Sequence, residues 1–273
     1  MEEFRKDIEI AINIWQDLLN SFFQDDLEYV YVKGSAMKPW KSMIDYVPQI
    51  SDVDIHVKLK DSNSELLKHP SLEIALQFGH TYQKLFKKEN EQRKRKYSHL
   101  PRIQLVVINK LKLSKENFVY PRLQDVHVLV GNPIFPTELS FDFVRKSDNE
   151  ELLQIPKVIA KANNDLVDRS DSFEYYIVLR RINFVISPSP VRLLTQLLID
   201  ENPYDIWVFN RSTIKEKLES LSLNELASTY ERYYLAGWKL FTSKFMDTNK
   251  FINVLSLGQK VLELVYNEVV KSG

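Results

Sequence analysis

Two aspartates separated by one residue, Asp52 and Asp54, lie in a run that alternates strictly. Val53, Ile55, Val57 and Leu59 interleave with Asp52, Asp54, His56 and Lys58. Side chains along a strand have a period of two, so this register puts both carboxylates on one face and the aliphatics on the other. Cα atoms two residues apart in a strand are separated by roughly 6.5–7 Å, close enough for both carboxylates to hold one hard cation. Two like charges at that spacing are costly unless a metal, a cation or water compensates them. Upstream, Glu28–Lys33 forms another strand-like run that ends at Gly34-Ser35. A glycine there lets the backbone approach a ligand, and the exposed N–H groups and the Ser35 hydroxyl can cradle a phosphate. Strand, Gly-Ser, an irregular Pro-containing link, then strand with Asp-x-Asp describes a triphosphate site beside a divalent-metal site. Either signal alone has a plain structural reading, as an exposed strand face or an ordinary turn. Their order, each on its expected element, points to function.

Gly34, Ser35, Asp52 and Asp54 together resemble the core motif of the nucleotidyltransferase superfamily typified by DNA polymerase β. The resemblance covers roughly the first half of the chain and implies a mixed sheet of about four or five strands flanked by helices. It further implies that Asp52 and Asp54 hold Mg²⁺ or Mn²⁺, and that Gly34 and Ser35 bind the β- and γ-phosphates of a nucleoside triphosphate. The third strand falls at Arg102–Ile108. In the superfamily it tends to read Arg-hydrophobic-Asp-hydrophobic, and its aspartate completes a carboxylate triad; here Gln104 holds that place. A neutral amide ligates weakly and is a very poor base. Three explanations stay open: a degenerate family member, a Gln104 that suffices for an easy substrate, or another acid entering the site. Asp142, in the alternating run Glu138–Val144, is the substitute to consider, against its reading as an exposed strand face. Val126–Pro133 resembles the hydrophobic-Gly-x-Pro element of small-molecule nucleotidyltransferases of the aminoglycoside-modifying kind.

The elements that must position these residues follow from periodicity. Glu2–Phe23 carries an amphipathic helical stripe, and Ser71–Tyr97 predicts a long helix whose end is rich in cations. The cluster from Lys87 to Arg102 is a solvated helix end favoured by the macrodipole, or a patch for triphosphate or RNA. From Asn149 onward the pattern is helical almost throughout: Glu150–Val167, Phe173–Ile186, Val191–Ile199, Asn210–Leu221, Leu223–Phe245 and Phe251–Val270. Segregated strands and helices predict an α+β protein: a nucleotidyltransferase-like mixed sheet flanked by helices over residues 1–148, then an all-helical domain over 149–273. In the superfamily such helical domains commonly cover the cleft and bind the acceptor or the base. Of Arg180 and Arg181, adjacent on one helix, one could reach a phosphate, whereas Tyr233, Tyr234 and Trp238 read as core.

Composition narrows the classes. The 273 residues, 44% hydrophobic and 27% charged, are those of a globular protein with a real core. Lys plus Arg equals Asp plus Glu at 37 each, so any nucleic-acid surface has to be local. There is no cysteine, which excludes disulfides and thiolate chemistry and fits a reducing, cytoplasmic setting. The N-terminus does not resemble a secretory signal, and no apolar run approaches a membrane span. The five histidines lack zinc-site spacing, although His56 shares the face of Asp52 and Asp54. No Walker loop, nucleophile elbow or dinucleotide fingerprint occurs. The expected activity is transfer of a nucleoside monophosphate to a hydroxyl on a small molecule, a protein or an RNA end. The alternative is a binding module that kept the fold and lost turnover.

Overall fold

The computed structural model describes residues 1–60, 71–91, 93, 97, 99–109, 119–135 and 139–272. By internal contacts the chain forms two compact units: Met1–Lys38 with Ser51–Glu138, and Pro39–Ile50 with Leu139–Gly273. The sequence pattern changes near Ser147–Glu150, whereas these units divide at Glu138/Leu139 and hand Pro39–Ile50 to the helical side.

Among the described residues the first unit is built on a four-stranded mixed sheet, within the four or five strands that the resemblance implies. Its strands are β1 (Leu27–Lys33), β2 (Val53–Leu59), β3 (Ile103–Val107) and β4 (His127–Val130), in the order β3-β2-β1-β4. β1 runs antiparallel to β2 and to β4, and β2 runs parallel to β3. Val53, Ile55, Val57 and Leu59 are fully buried, as are Val30 and Val32 of β1. The polar-looking face of β2 is also partly covered. His56 pairs in register with Tyr31, stacks on it with ring centroids 4.8 Å apart, and shares a 3.3 Å hydrogen bond between Nδ1 and the Tyr31 hydroxyl. β4 ends at Gly131, whose φ of +67° and lack of space for a Cβ against the Glu28 carbonyl explain the glycine in the Val126–Pro133 run.

Helix α1 (Glu2–Phe23) has the expected bounds, with Glu2 and Glu3 favourably placed in its first turn. It packs against α2 (Leu72–Asn90) through Trp15, Phe22 and Phe23 on Phe78. Ser71 caps α2 by accepting from the Ile74 N–H. The helix stops short of the expected Tyr97. Past its end, Arg93 is drawn back to α1 by a 2.8 Å ion pair with buried Asp7, which also holds His99 at 3.1 Å.

The second unit is helical: α3 (Phe141–Leu152), α4 (Ile155–Leu166), α5 (Ser172–Ile186), α6 (Ser189–Leu197), α7 (Pro203–Trp207), α8 (Arg211–Ser220), α9 (Asn224–Thr242) and α10 (Thr248–Ser272). Tyr230, Tyr233, Tyr234 and Phe251 are fully buried, so Tyr233 and Tyr234 are core, as read from the sequence, and Trp238 is buried too. The expected strand over Glu138–Val144 is corrected. Ser140 accepts from the Phe143 N–H and starts a helix; the short alternation of Leu139, Phe141 and Phe143 gives way to a capping serine and a helical run. Glu138 itself lies outside the described residues.

Pro39–Ile50, the link between Gly-Ser and Asp-x-Asp, is built into this helical unit. Buried Asp45 accepts from the N–H groups of Lys41, Ser42 and Ser212, and from the Ser212 hydroxyl. Asn210 donates to the Pro39 carbonyl, Arg211 to Ile44, Trp238 to Met43 and Asn183 to Ile50. The link has little internal structure, a single 3₁₀ turn over Met43–Asp45, so its backbone polar groups are satisfied by side chains distant in sequence.

Candidate active site

The strand β1 delivers Lys33 beside Asp54 of β2, and β3 delivers Gln104 on the other side of Asp54; both pairings are registered Cα partners. The chain then turns at Gly34 with φ +90°, closed by a hydrogen bond from the Met37 N–H to the Gly34 carbonyl at 3.1 Å. A Cβ added at Gly34 would collide with Asp54 Oδ2. The glycine therefore serves both the left-handed turn and the close approach of the loop to a carboxylate. Arg5 of α1 straps the loop from behind: Nη1 donates to the Ala36 carbonyl at 2.6 Å and Nη2 to the Lys38 carbonyl at 2.9 Å.

Asp52 and Asp54 are brought together as the alternation predicts, and both are half-buried. Arg102 Nη2 lies 2.9 Å from Asp52 Oδ2. With the Gln104 amide oriented so that its nitrogen faces the acids, it donates to Asp52 Oδ2 at 2.8 Å and to Asp54 Oδ1 at 3.2 Å. Among the described residues, no third aspartate, glutamate or histidine joins the pair to make a metal-binding group. Asp142, the acid weighed as a replacement, is exposed in the first turn of α3, in the helical unit.

The electrostatics are those of a strained acidic pair among fixed cations. Burial and the neighbouring Asp52 charge push the Asp54 carboxyl up to about 7, with Lys33, Arg102 and Lys38 pulling the other way. Burial lowers Lys33, opposed by Asp54. His56 is pushed down to about 2 by burial and then by Lys33, which keeps its imidazole neutral and part of the aromatic packing. This donor set fits a hard divalent cation. It consists of carboxylate oxygens, one of them over Gly34, and a cation would offset both the burial of Asp54 and, secondarily, its repulsion from Asp52.

Compared with protein-family models, with curated proteins and with solved structures, the chain matches none.

Gly34, Asp52, Asp54 and Gln104 thus converge in the first unit, and Ser35 follows Gly34 in the turn after β1. Three residues at this site escape motif reasoning. Lys33 is the last residue of β1, and only its register with Asp54 makes it part of the site. Arg102 carried a signal, as the arginine opening the third strand, but reads equally as part of the cationic stretch that begins at Lys87. Arg5 has no local signal at all. In that stretch Lys87 and Lys88 are exposed in the last turn of α2, Arg93 pairs with Asp7 and Arg102 with Asp52. Lys94, Arg95 and Lys96 lie outside the described residues. Of the adjacent arginines on α5, Arg181 pairs with Asp165 at 3.3 Å and Arg180 lies over the Tyr176 ring. No helix among the described residues is long and apolar enough to cross a membrane.

Proposed function

We propose that the chain is a metal-dependent nucleotidyltransferase that moves a nucleoside monophosphate from a nucleoside triphosphate to a hydroxyl acceptor. The observation that carries this reading is the close approach at Gly34: a left-handed turn after β1 is pressed directly onto the Asp54 carboxylate, which supports reading the turn and the acidic pair as one site for a phosphate and a cation. Asp52 and Asp54 would hold Mg²⁺ or Mn²⁺, which when bound supplies charge neutralisation for the triphosphate. Gly34 and Ser35 orient the β- and γ-phosphates through backbone N–H groups and the Ser35 hydroxyl. Lys33, Lys38 and Arg102 set a positive background for the developing charge. The acceptor oxygen forms a bond to the α-phosphorus as the bond to the β-bridging oxygen breaks. Pyrophosphate leaves with the electron pair, and the hydroxyl proton goes to solvent, because the Gln104 amide cannot take it.

The Gln104 geometry favours a second reading. An amide that donates to both acids locks them together, which suits a module that binds nucleotide without turning it over. Incubation with each α-labelled nucleoside triphosphate and Mg²⁺, alone and with small-molecule, protein and RNA acceptors, separates the two. Label transfer with pyrophosphate release, lost in Asp54→Asn, supports transfer. Nucleotide binding with no transfer to any acceptor selects the module, and transfer that survives Asp54→Asn contradicts the assignment of the site.

A further inference from the structure

The oxygens of the acidic pair are not equivalent. On one side, Asp52 Oδ2 receives the Arg102 guanidinium at 2.9 Å and, with the Gln104 amide nitrogen turned toward the acids, that amide at 2.8 Å; in the same orientation Asp54 Oδ1 receives it at 3.2 Å. On the other side, Asp54 Oδ2 lies against the turn at Gly34. N–H donors and a metal ion compete for the same carboxylate lone pairs. Sites that hold two ions roughly 3.5–4 Å apart share carboxylates between them. Here the side facing β3 is met by the Arg102 guanidinium and, in that orientation, by the Gln104 amide nitrogen, and the sheet fixes the backbone that carries both. Gln104 is the registered partner of Asp54, and the Arg102 carbonyl accepts from the Val53 N–H at 2.9 Å. A guanidinium keeps its charge at any working pH and cannot ligate a cation.

We propose that Arg102 and Gln104 stand in for a second metal ion, so that the site takes a single divalent cation, on its Gly34 side together with the triphosphate. This rests on the nucleotide-site reading above and adds its ion count. Both are positioning residues: they hold Asp52 and Asp54, and Arg102 contributes as a permanent positive charge what a second ion would contribute as a bound one.

Ion counting tests it without any turnover. The full chain is titrated with Mn²⁺ in the presence of α,β-methylene ATP, and in parallel with the GTP, CTP and UTP analogues. Bound Mn²⁺ is counted by electron paramagnetic resonance and checked by calorimetry. The expected result is one Mn²⁺ per chain for the wild type with at least one nucleotide analogue, and two for Gln104→Asp, whose new carboxylate supplies the ligand that the amide denies. Two ions on the wild type overturn the proposal while leaving the nucleotide site intact. One ion on both proteins overturns the role given to Gln104. No ion and no nucleotide on the wild type would sink the underlying reading as well. The wild-type count decides the matter even if Gln104→Asp fails to fold.

Discussion

Gly34 has the narrowest tolerance of any residue in the site, because two independent constraints meet there: a positive φ and a carboxylate in the volume a Cβ would fill. Gly34→Ala must shift either the turn or Asp54, and we expect it to weaken Mg²⁺–nucleotide binding by tenfold or more, at about 1–3 kcal/mol of stability; calorimetry and urea unfolding check both. Asp54 makes the opposite prediction for stability. Its folded pKa, about 7, lies above the ordinary 3.8. Its contribution is therefore fully present below the ordinary value and is lost as the pH rises through about 7. The metal-free protein should lose stability from about pH 4 to pH 7 on this account. Asp54→Asn, which does not titrate, should melt higher than the wild type at pH 8, by about 2–4 °C for each kcal/mol relieved, with no such gain at pH 4. An equal difference at both pH values would show that the carboxylate is not strained. A site that weakens its own fold in this way is expected where charge is held for a ligand.

At the scale of elements, the link Pro39–Ile50 is held by Asp45 rather than by secondary structure of its own. Asp45→Ala leaves the N–H groups of Lys41, Ser42 and Ser212 without their acceptor, which should cost about 2–4 kcal/mol in urea unfolding; a change under 0.5 kcal/mol would contradict the anchor. The same segment shows where sequence reading stops. The sheet and α1 were legible because their alternating and helical stripes are local consequences of burial: Val53 to Leu59 on one face, Phe4 to Phe23 on another. Asp-x-Asp and Gly-Ser were legible for the same reason, as short motifs on such elements. The link has no period, and its partners, Asn183, Asn210, Ser212 and Trp238, are far along the chain. Residues 138–144 failed differently: a short alternation is compatible with a strand or a helix start, and the Ser140 cap decides it.

At the scale of the whole molecule, the chain passes between its two units at Lys38/Pro39 and Ile50/Ser51, on either side of the link, and again at Glu138/Leu139. The helical unit is therefore not contiguous in sequence. A fragment of residues 139–273 lacks the carbonyls that Asn183, Asn210, Arg211 and Trp238 bond. It should lose near-ultraviolet circular dichroism relative to the full chain and regain it when a 39–50 peptide is added. A fragment as ordered as the parent would show that the link is dispensable. Helical-unit stability should fall in Asp45→Ala, which removes the acceptor shared by Lys41, Ser42 and Ser212.

Binding of a divalent cation by Asp52 and Asp54, together with a triphosphate at Gly34-Ser35, is the central proposal. The most direct measurement is calorimetric titration of ATP, GTP, CTP and UTP with and without Mg²⁺, on the wild type and on Asp52→Ala/Asp54→Ala. Tight binding of at least one nucleotide that requires Mg²⁺ and disappears in the double variant is the predicted result. Binding that survives without the two carboxylates, or no binding of any nucleotide by the wild type, would contradict it.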